Sequence, residues 1–223
     1  MKVAVIGKGK TGSAVIELLG KDSVQAVYDS KNKVTAEKLK IADIAIVFVN
    51  ATVFASILPE LLQSQIPVVC GVTGFQWTGA LTAQIQQNNA AWVVANNFSL
   101  SMVVIKEILA MLGRLQGLTQ QSQFSLSETH HVNKVDAPSG TALSWQDWLG
   151  VENCPIESIR KEDVKGTHQL VIHNPFETIE LTHTAHDRKL FAQGAIWAAR
   201  YLLEHPELKG FYQFNELVRS VSW

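Results

Sequence analysis

The chain has 223 residues, 47% of them hydrophobic and 17% charged, which is long enough for one large core or two modest ones and too apolar to stay disordered. With 19 basic against 20 acidic residues the net charge is −1, so bulk charge points to neither a nucleic-acid nor a membrane partner, and an anionic ligand must be met by local groups. Cys70 and Cys154 form no CxxC pair and lack metal-ligand spacing, the apolar run at 41–49 is too short to span a bilayer, and the chain opens on a strand instead of a signal peptide; a cytoplasmic protein without a metal site is expected.

Residues 2–6 read as a buried strand that runs into Gly7, Lys8, Gly9, Lys10, Thr11 and Gly12, then into an apolar helical stretch at 14–19. In such a strand–turn–helix unit Gly7 allows the tight turn, Gly9 lets a pyrophosphate approach the backbone, and Gly12 lets the helix pack close to the strand. A second β-rich run, 24–28, ends in Asp29, about 20 residues beyond the first glycine, where a dinucleotide fingerprint places the acid that binds the ribose. Glycine turns that bind nothing also match GxGxxG; the spacing of Asp29 is what favours the nucleotide.

Further along, 43–49, 67–70 and 91–94 read as buried strands, separated by helices at 51–63 and 76–89. This alternation predicts a parallel sheet wrapped by helices, with ligands beyond the C-terminal strand ends. The loops at that edge are Gly7 to Gly12, Asp29, then Gly71, Val72, Thr73 and Gly74, and finally Ala95, Asn96, Asn97 and Phe98. All four are expected to line one cofactor crevice.

A long amphipathic helix at 99–115 introduces a different pattern: alternating strands at 122–129, 168–172 and 179–183, with a helix at 139–149 whose Trp145 and Trp148 read as core or interface. A closing helix at 189–203 and a short segment at 215–218 are expected to return to the first domain. The fold class is therefore α/β: a discontinuous Rossmann-type parallel-sheet domain at 1–98 and 190–223, plus a smaller α+β domain with a mixed sheet at 99–189.

The segment 128–142, ETHHVNKVDAPSGTA, concentrates the chemistry. His130 and His131 titrate near neutral pH, Lys134 is a point charge, and Gly140 and Thr141 follow Ser139 where a helix should begin and offer backbone N–H groups to an anion. A small dicarboxylate substrate suits this set, with proton transfer beside carboxylate binding. Adjacent strand residues point to opposite faces, so both histidines reach one ligand only if the strand ends there, as the turn-like 132–133 suggests. His168, His173, His183, His186 and His205 read as structural, although His168 lies near Lys165 and Gly166 and would rim the pocket.

These features together, VIGKGKTG at 5–12, GVTGF at 71–75, ANNFS at 95–99, ETHHVNKVDAPSGTA at 128–142, ELTHTAHDR at 180–188 and FAQGA at 191–195, resemble the 4-hydroxy-tetrahydrodipicolinate reductases, historically called dihydrodipicolinate reductases, over nearly the whole chain. The resemblance implies reduction of a cyclic imine dicarboxylate by a nicotinamide cofactor in the diaminopimelate route to lysine. It implies His130 as proton donor and acceptor, Lys134 as second proton donor, and His131, Gly140 and Thr141 as substrate contacts. It also implies a homotetramer formed through the substrate domain. Against the family pattern the glycine loop is shortened, Val72 replaces a threonine, Leu100 and Ser101 follow Ser99 where the pattern runs on to a glycine, and Glu162 replaces a glycine. Asp29 favours NADH, whereas Lys8, Lys10, Lys31 and Lys33 offset a 2′-phosphate, so NADH and NADPH both remain open. Two other readings are carried: a related NAD(P)-dependent dehydrogenase of another small dicarboxylic or amino acid, and an NAD(H) sensor without turnover.

Overall fold

The computed structural model describes residues 1–119, 121–162 and 164–221. The chain begins with β1 (Val3–Ile6), α1 (Lys10–Leu19), β2 (Val24–Tyr28), α2 (Ala36–Leu39), β3 (Ile44–Val47), α3 (Ala51–Ser64), β4 (Val68–Cys70), α4 (Gly79–Gln86) and β5 (Ala91–Val94). There follow α5 (Leu100–Gly113), α6 (Leu115–Leu118), β6 (Gln123–His130), α7 (Gly140–Leu149), β7 (Ile156–Arg160), β8 (Thr167–Asn174) and β9 (Glu177–Thr184). The chain closes with α8 (Lys189–Glu204), β10 (Gly210–Gln213) and α9 (Phe214–Ser220). Two compact units result: Met1–Leu100 with the chain from Arg188 onward, and Ser101–Asp187.

In the first unit six parallel strands lie in the order β10-β5-β4-β3-β1-β2. Every residue of β1, β3, β4 and β5 is buried, as strands covered on both faces require, which is why they read as unbroken apolar runs. Because the strands are parallel, their C-terminal ends share one edge, and Gly7, Phe48, Gly71 and Ala95 each follow directly or closely on a strand end. The helix expected at 76–89 is shorter: Thr78 caps α4 by accepting from the Leu81 N–H, while Trp77 turns away to pack among Phe54, Phe75 and Phe211.

The second unit carries a four-stranded sheet in the order β7-β6-β8-β9, with β7 parallel to β6 and the other pairs antiparallel. Period-two alternation along β6 buries Phe124, Leu126, Glu128 and His130 on one face, and along β8 it buries His168, Leu170, Ile172 and Asn174. Trp145 and Leu149 of α7, with Met102, Ile105 and Leu109 of α5, complete that core. One strand face thus passes from apolar core to polar site without a break. Both β7 and β10 escape the sequence reading, since β7 is a polar edge strand without alternation and β10 is four residues joined to β5 from far along the chain.

Candidate active site

In the first unit, Gly9, Lys10, Thr11, Gly71, Thr73, Asn96, Asn97 and Phe98 line a cleft of about 490 Å³. The glycines differ in what demands them. Gly7 has φ +101°, and a Cβ there would stand 2.1 Å from the Phe48 carbonyl oxygen; at Gly12 it would stand 2.0 Å from the Gly7 carbonyl oxygen. A Cβ at Gly9 would meet nothing within 4 Å, so no internal packing asks for that glycine, and the space in front of it is free for a ligand. Gly9 is also the N-cap of α1, which has neither a side-chain cap nor an acidic residue in its first turn, leaving the helix N-terminus suited to an anion.

Three of the four expected loops meet in this cleft. Gly7 and Gly12 shape the turn behind it, Val72 is buried so that only backbone is available there, and Lys8 and Ala95 flank the lining residues. Asp29 lies outside the lining, exposed at the end of β2, where its Oδ1 accepts from the N–H groups of Lys31 (2.8 Å) and Asn32 (3.0 Å). Those two bonds hold its carboxyl below the ordinary carboxylate range. Phe48, Val49, Arg188 and Phe191 also line the cleft and were not anticipated. The first two follow β3 at the productive edge, a position general to such sheets; the last two arrive only because α8 returns to this unit.

In the second unit, β6 ends at His130, which resolves the facing of the adjacent imidazoles: His130 is buried, and His131, past the strand end, lines a separate cleft of about 310 Å³ with Val132, Asn133, Glu162, Val164 and Lys165. Strand register assembles the rest. Glu128 stands opposite Ser158 on β7 and His168 on β8, and His130 stands opposite Arg160. The fully buried Glu128 carboxylate contacts the His130 Nδ1 through Oε2, while its Oε1 accepts from Arg160 at 2.9 Å. Burial pushes that carboxyl up, but hydrogen bonds from Arg160 and Ser158 outweigh it and hold the group ionised. Desolvation lowers the His130 pKa, with Glu128 opposing.

Lys134 donates to Asp136 Oδ1 at 2.8 Å, and that bond holds the Asp136 carboxyl below the ordinary carboxylate range. Ser139 caps α7 by accepting from the Ala142 N–H, and its hydroxyl also hydrogen-bonds with the His168 Nε2 at 3.1 Å. His130 and His168 pack edge to face, ring centroids 5.2 Å apart. Donor atoms of Glu128, His130 and His168 lie within 4.8 Å of one another; Arg160 engages Glu128 Oε1 and Ser139 engages His168 Nε2. Glu128 could have been read from the sequence, two residues before His130 and so on its face; Arg160 and His168 arrive through pairing alone.

The model for the N-terminus of dihydrodipicolinate reductase matches residues 1–98, and that for its C-terminus matches residues 101–218. The chain belongs to the dihydrodipicolinate reductase family. The 4-hydroxy-tetrahydrodipicolinate reductase of Christiangramia forsetii is 32% identical over 221 residues, covering 91% of this chain and 92% of that one. That of Xanthomonas euvesicatoria pv. vesicatoria is also 32% identical, over 237 residues and 98% of each chain. The dipicolinate-bound dihydrodipicolinate reductase from Paenisporosarcina sp. TG-14 shares the fold, with a TM-score of 0.72 at 18% identity over 96% of this chain and 97% of that one. Two departures from the reductase pattern acquire a location: Val72 turns its side chain into the core, and Glu162 lines the His131 cleft. Among the described residues, no helix is long and apolar enough to cross a membrane.

Proposed function

We propose that this protein uses NADH or NADPH to reduce 4-hydroxy-tetrahydrodipicolinate to tetrahydrodipicolinate with release of water, in diaminopimelate and lysine biosynthesis. The observation that carries this reading is the His130 imidazole, backed by a buried carboxylate at the end of β6, in one motif with Lys134 and the N-terminus of α7. The cofactor supplies a hydride when bound, and the first unit fits it: open space at Gly9, an uncapped α1, and the cleft formed by the loops after β1, β4 and β5.

The remaining work falls to the chain's own groups. Reduction of the conjugated imine and departure of the ring hydroxyl both call for a proton, and His130 is the donor, its proton affinity a balance of desolvation against Glu128. Lys134 holds a substrate carboxylate and serves as the second proton donor. The N–H groups of Gly140 and Thr141 at the start of α7 take a carboxylate as helix N-termini take anions, and His131 is a further substrate contact. Lys10, Thr11, Thr73, Asn96 and Asn97 meet the cofactor, and Asp29 its ribose.

The reading extends to a homotetramer joined through the second sheet, whose strand β9 alternates exposed and half-buried side chains, and to a cytoplasmic protein whose Cys70 and Cys154 stay free thiols. Light scattering of the purified protein tests the assembly. For the activity, protein, NADH or NADPH and substrate generated in situ by the preceding synthase should give loss of the nicotinamide absorbance. His130→Gln and Lys134→Met should each lower kcat by about 10²–10⁴-fold with cofactor KM unchanged. No loss with either cofactor would overturn the assignment.

A further inference from the structure

Glu128 is a carboxylate at 0% exposure in the middle of a four-stranded sheet, and general experience says that such a group is weak evidence for stability, since a well-packed apolar pair serves as well. Its surroundings give it a different purpose. Its Oε2 faces the His130 Nδ1, and because a carboxylate only accepts, the imidazole must carry its proton on Nδ1, leaving Nε2 as the working nitrogen. Nε2 is the nitrogen that points toward Gly166, where an added Cβ would stand 3.0 Å from it, so the chain keeps side-chain bulk away from that atom.

The other carboxylate oxygen leads to Arg160, whose guanidinium, besides bonding the adjacent Ile159 carbonyl, joins three separated groups. It donates to Glu128 Oε1 at 2.9 Å, to the Asp136 carbonyl at 2.6 Å and to the Lys134 carbonyl at 3.3 Å. The planar fork of arginine is what allows one side chain to span a strand carboxylate and two loop carbonyls; a lysine ammonium has no such geometry. His130 and the Lys134 backbone are thereby tied to the same rigid pair. A ligand does not explain this contact set, because every one of these atoms belongs to the chain.

We propose that Glu128 and Arg160 are positioning residues of the reaction: Glu128 holds His130 as the Nδ1–H tautomer with Nε2 presented, and Arg160 joins that carboxylate to the loop carrying Lys134. This rests on the assignment of His130 and Lys134 given above. The charged and titratable groups facing His130 are Glu128 on its own strand, Arg160 from β7, His168 from β8 and Lys134 from the following loop. Of these, only Glu128 favours the protonated imidazole.

The first test needs neither substrate nor variant. Nitrogen-15 imidazole spectra of the uniformly labelled full-length protein should show neutral His130 with its proton on Nδ1; an Nε2–H tautomer overturns the proposal whatever the protein reduces. The second compares Glu128→Gln, Glu128→Asp and Arg160→Met with the parent protein. Glu128→Gln should lower kcat by about 10-fold or more, part of the about 10²–10⁴-fold that general acid catalysis supplies, and leave the nicotinamide KM unchanged. The limb of the kcat–pH profile that falls as the acid loses its proton should move to lower pH, and Glu128→Asp should restore part of both. Arg160→Met should raise the substrate KM and lower kcat together, with that limb moving the opposite way, to higher pH, because a cation that opposes protonation of His130 is gone. Folded variants with unchanged kcat and an unmoved limb would overturn the positioning role, whereas a parent protein that shows the Nδ1–H tautomer but no turnover would count against the substrate assignment alone.

Discussion

Glu128 and His168 stand directly opposite each other on antiparallel strands, one a fully buried carboxylate held ionised and the other a buried imidazole held neutral. Desolvation, then the neighbouring His130, pushes His168 down from its ordinary 6.5 to about 4. The unfolded chain therefore binds a proton that the folded chain refuses between about pH 6.5 and about pH 4, so stability is intact above that window and falls as pH drops through it, by up to about 3 kcal/mol. The depressed carboxyl of Glu128 acts in the same direction at lower pH. Denaturant melts across this range should show the decline, and His168→Gln should flatten it; an unchanged slope would mean that His168 is not the group responsible.

Gly9 and Gly12 are separated by three positions and should fail in different ways. Gly12→Ala drives a Cβ against the Gly7 carbonyl and should cost about 1–3 kcal/mol or more, seen as a lower Tm. Gly9→Ala meets no protein atom, so stability should hold to within about 1 kcal/mol, the cap penalty, with little change in Tm, while the nicotinamide KM rises several-fold. Equal effects of the two on Tm would contradict this division.

Asp136 occupies with its own carboxylate a group assigned to a substrate carboxylate, the Lys134 ammonium. A substrate must compete with it. Asp136→Asn should lower the substrate KM with kcat within a few-fold of the parent value, as steady-state kinetics would reveal. A raised KM would show instead that Asp136 supports Lys134 in its working position.

Asp29 is ionised at neutral pH and exposed, with its turn bonds holding the carboxylate in place. Asp29→Ala should weaken NADH, by removing a ribose acceptor, and spare or improve NADPH, by removing repulsion of the 2′-phosphate. Parallel titrations with the two cofactors should therefore show their KM ratio moving toward NADPH, and a common shift in both would remove Asp29 from cofactor selection.

How much was legible follows from what each feature depends on. The parallel strands and the glycine turn were readable because burial on both faces leaves continuous apolar runs, and because Gly12 answers to the Gly7 carbonyl within the same turn, whereas the Phe48 carbonyl that excludes a side chain at Gly7 comes from the end of β3. His130, Lys134 and the cap at Ser139 lie in one segment, so their chemistry could be grouped before any fold was known. The return of the closing helix to the first unit was expected, but that Arg188 and Phe191 at its start would line the cleft was not, because that depends on how α8 packs against the strand-end loops.

The order of residues alone grouped His130, His131, Lys134 and the start of α7 in one segment and showed that a strand leads into it. Tertiary structure decided what those groups are bonded to: Arg160 and His168 reach Glu128 only through the registers of β7 and β8, set by pairing between segments some 30 to 40 residues apart. Register is a nonlocal quantity, fixed when whole strand faces bury together, and for that reason the buried network behind His130 became visible only in the folded chain.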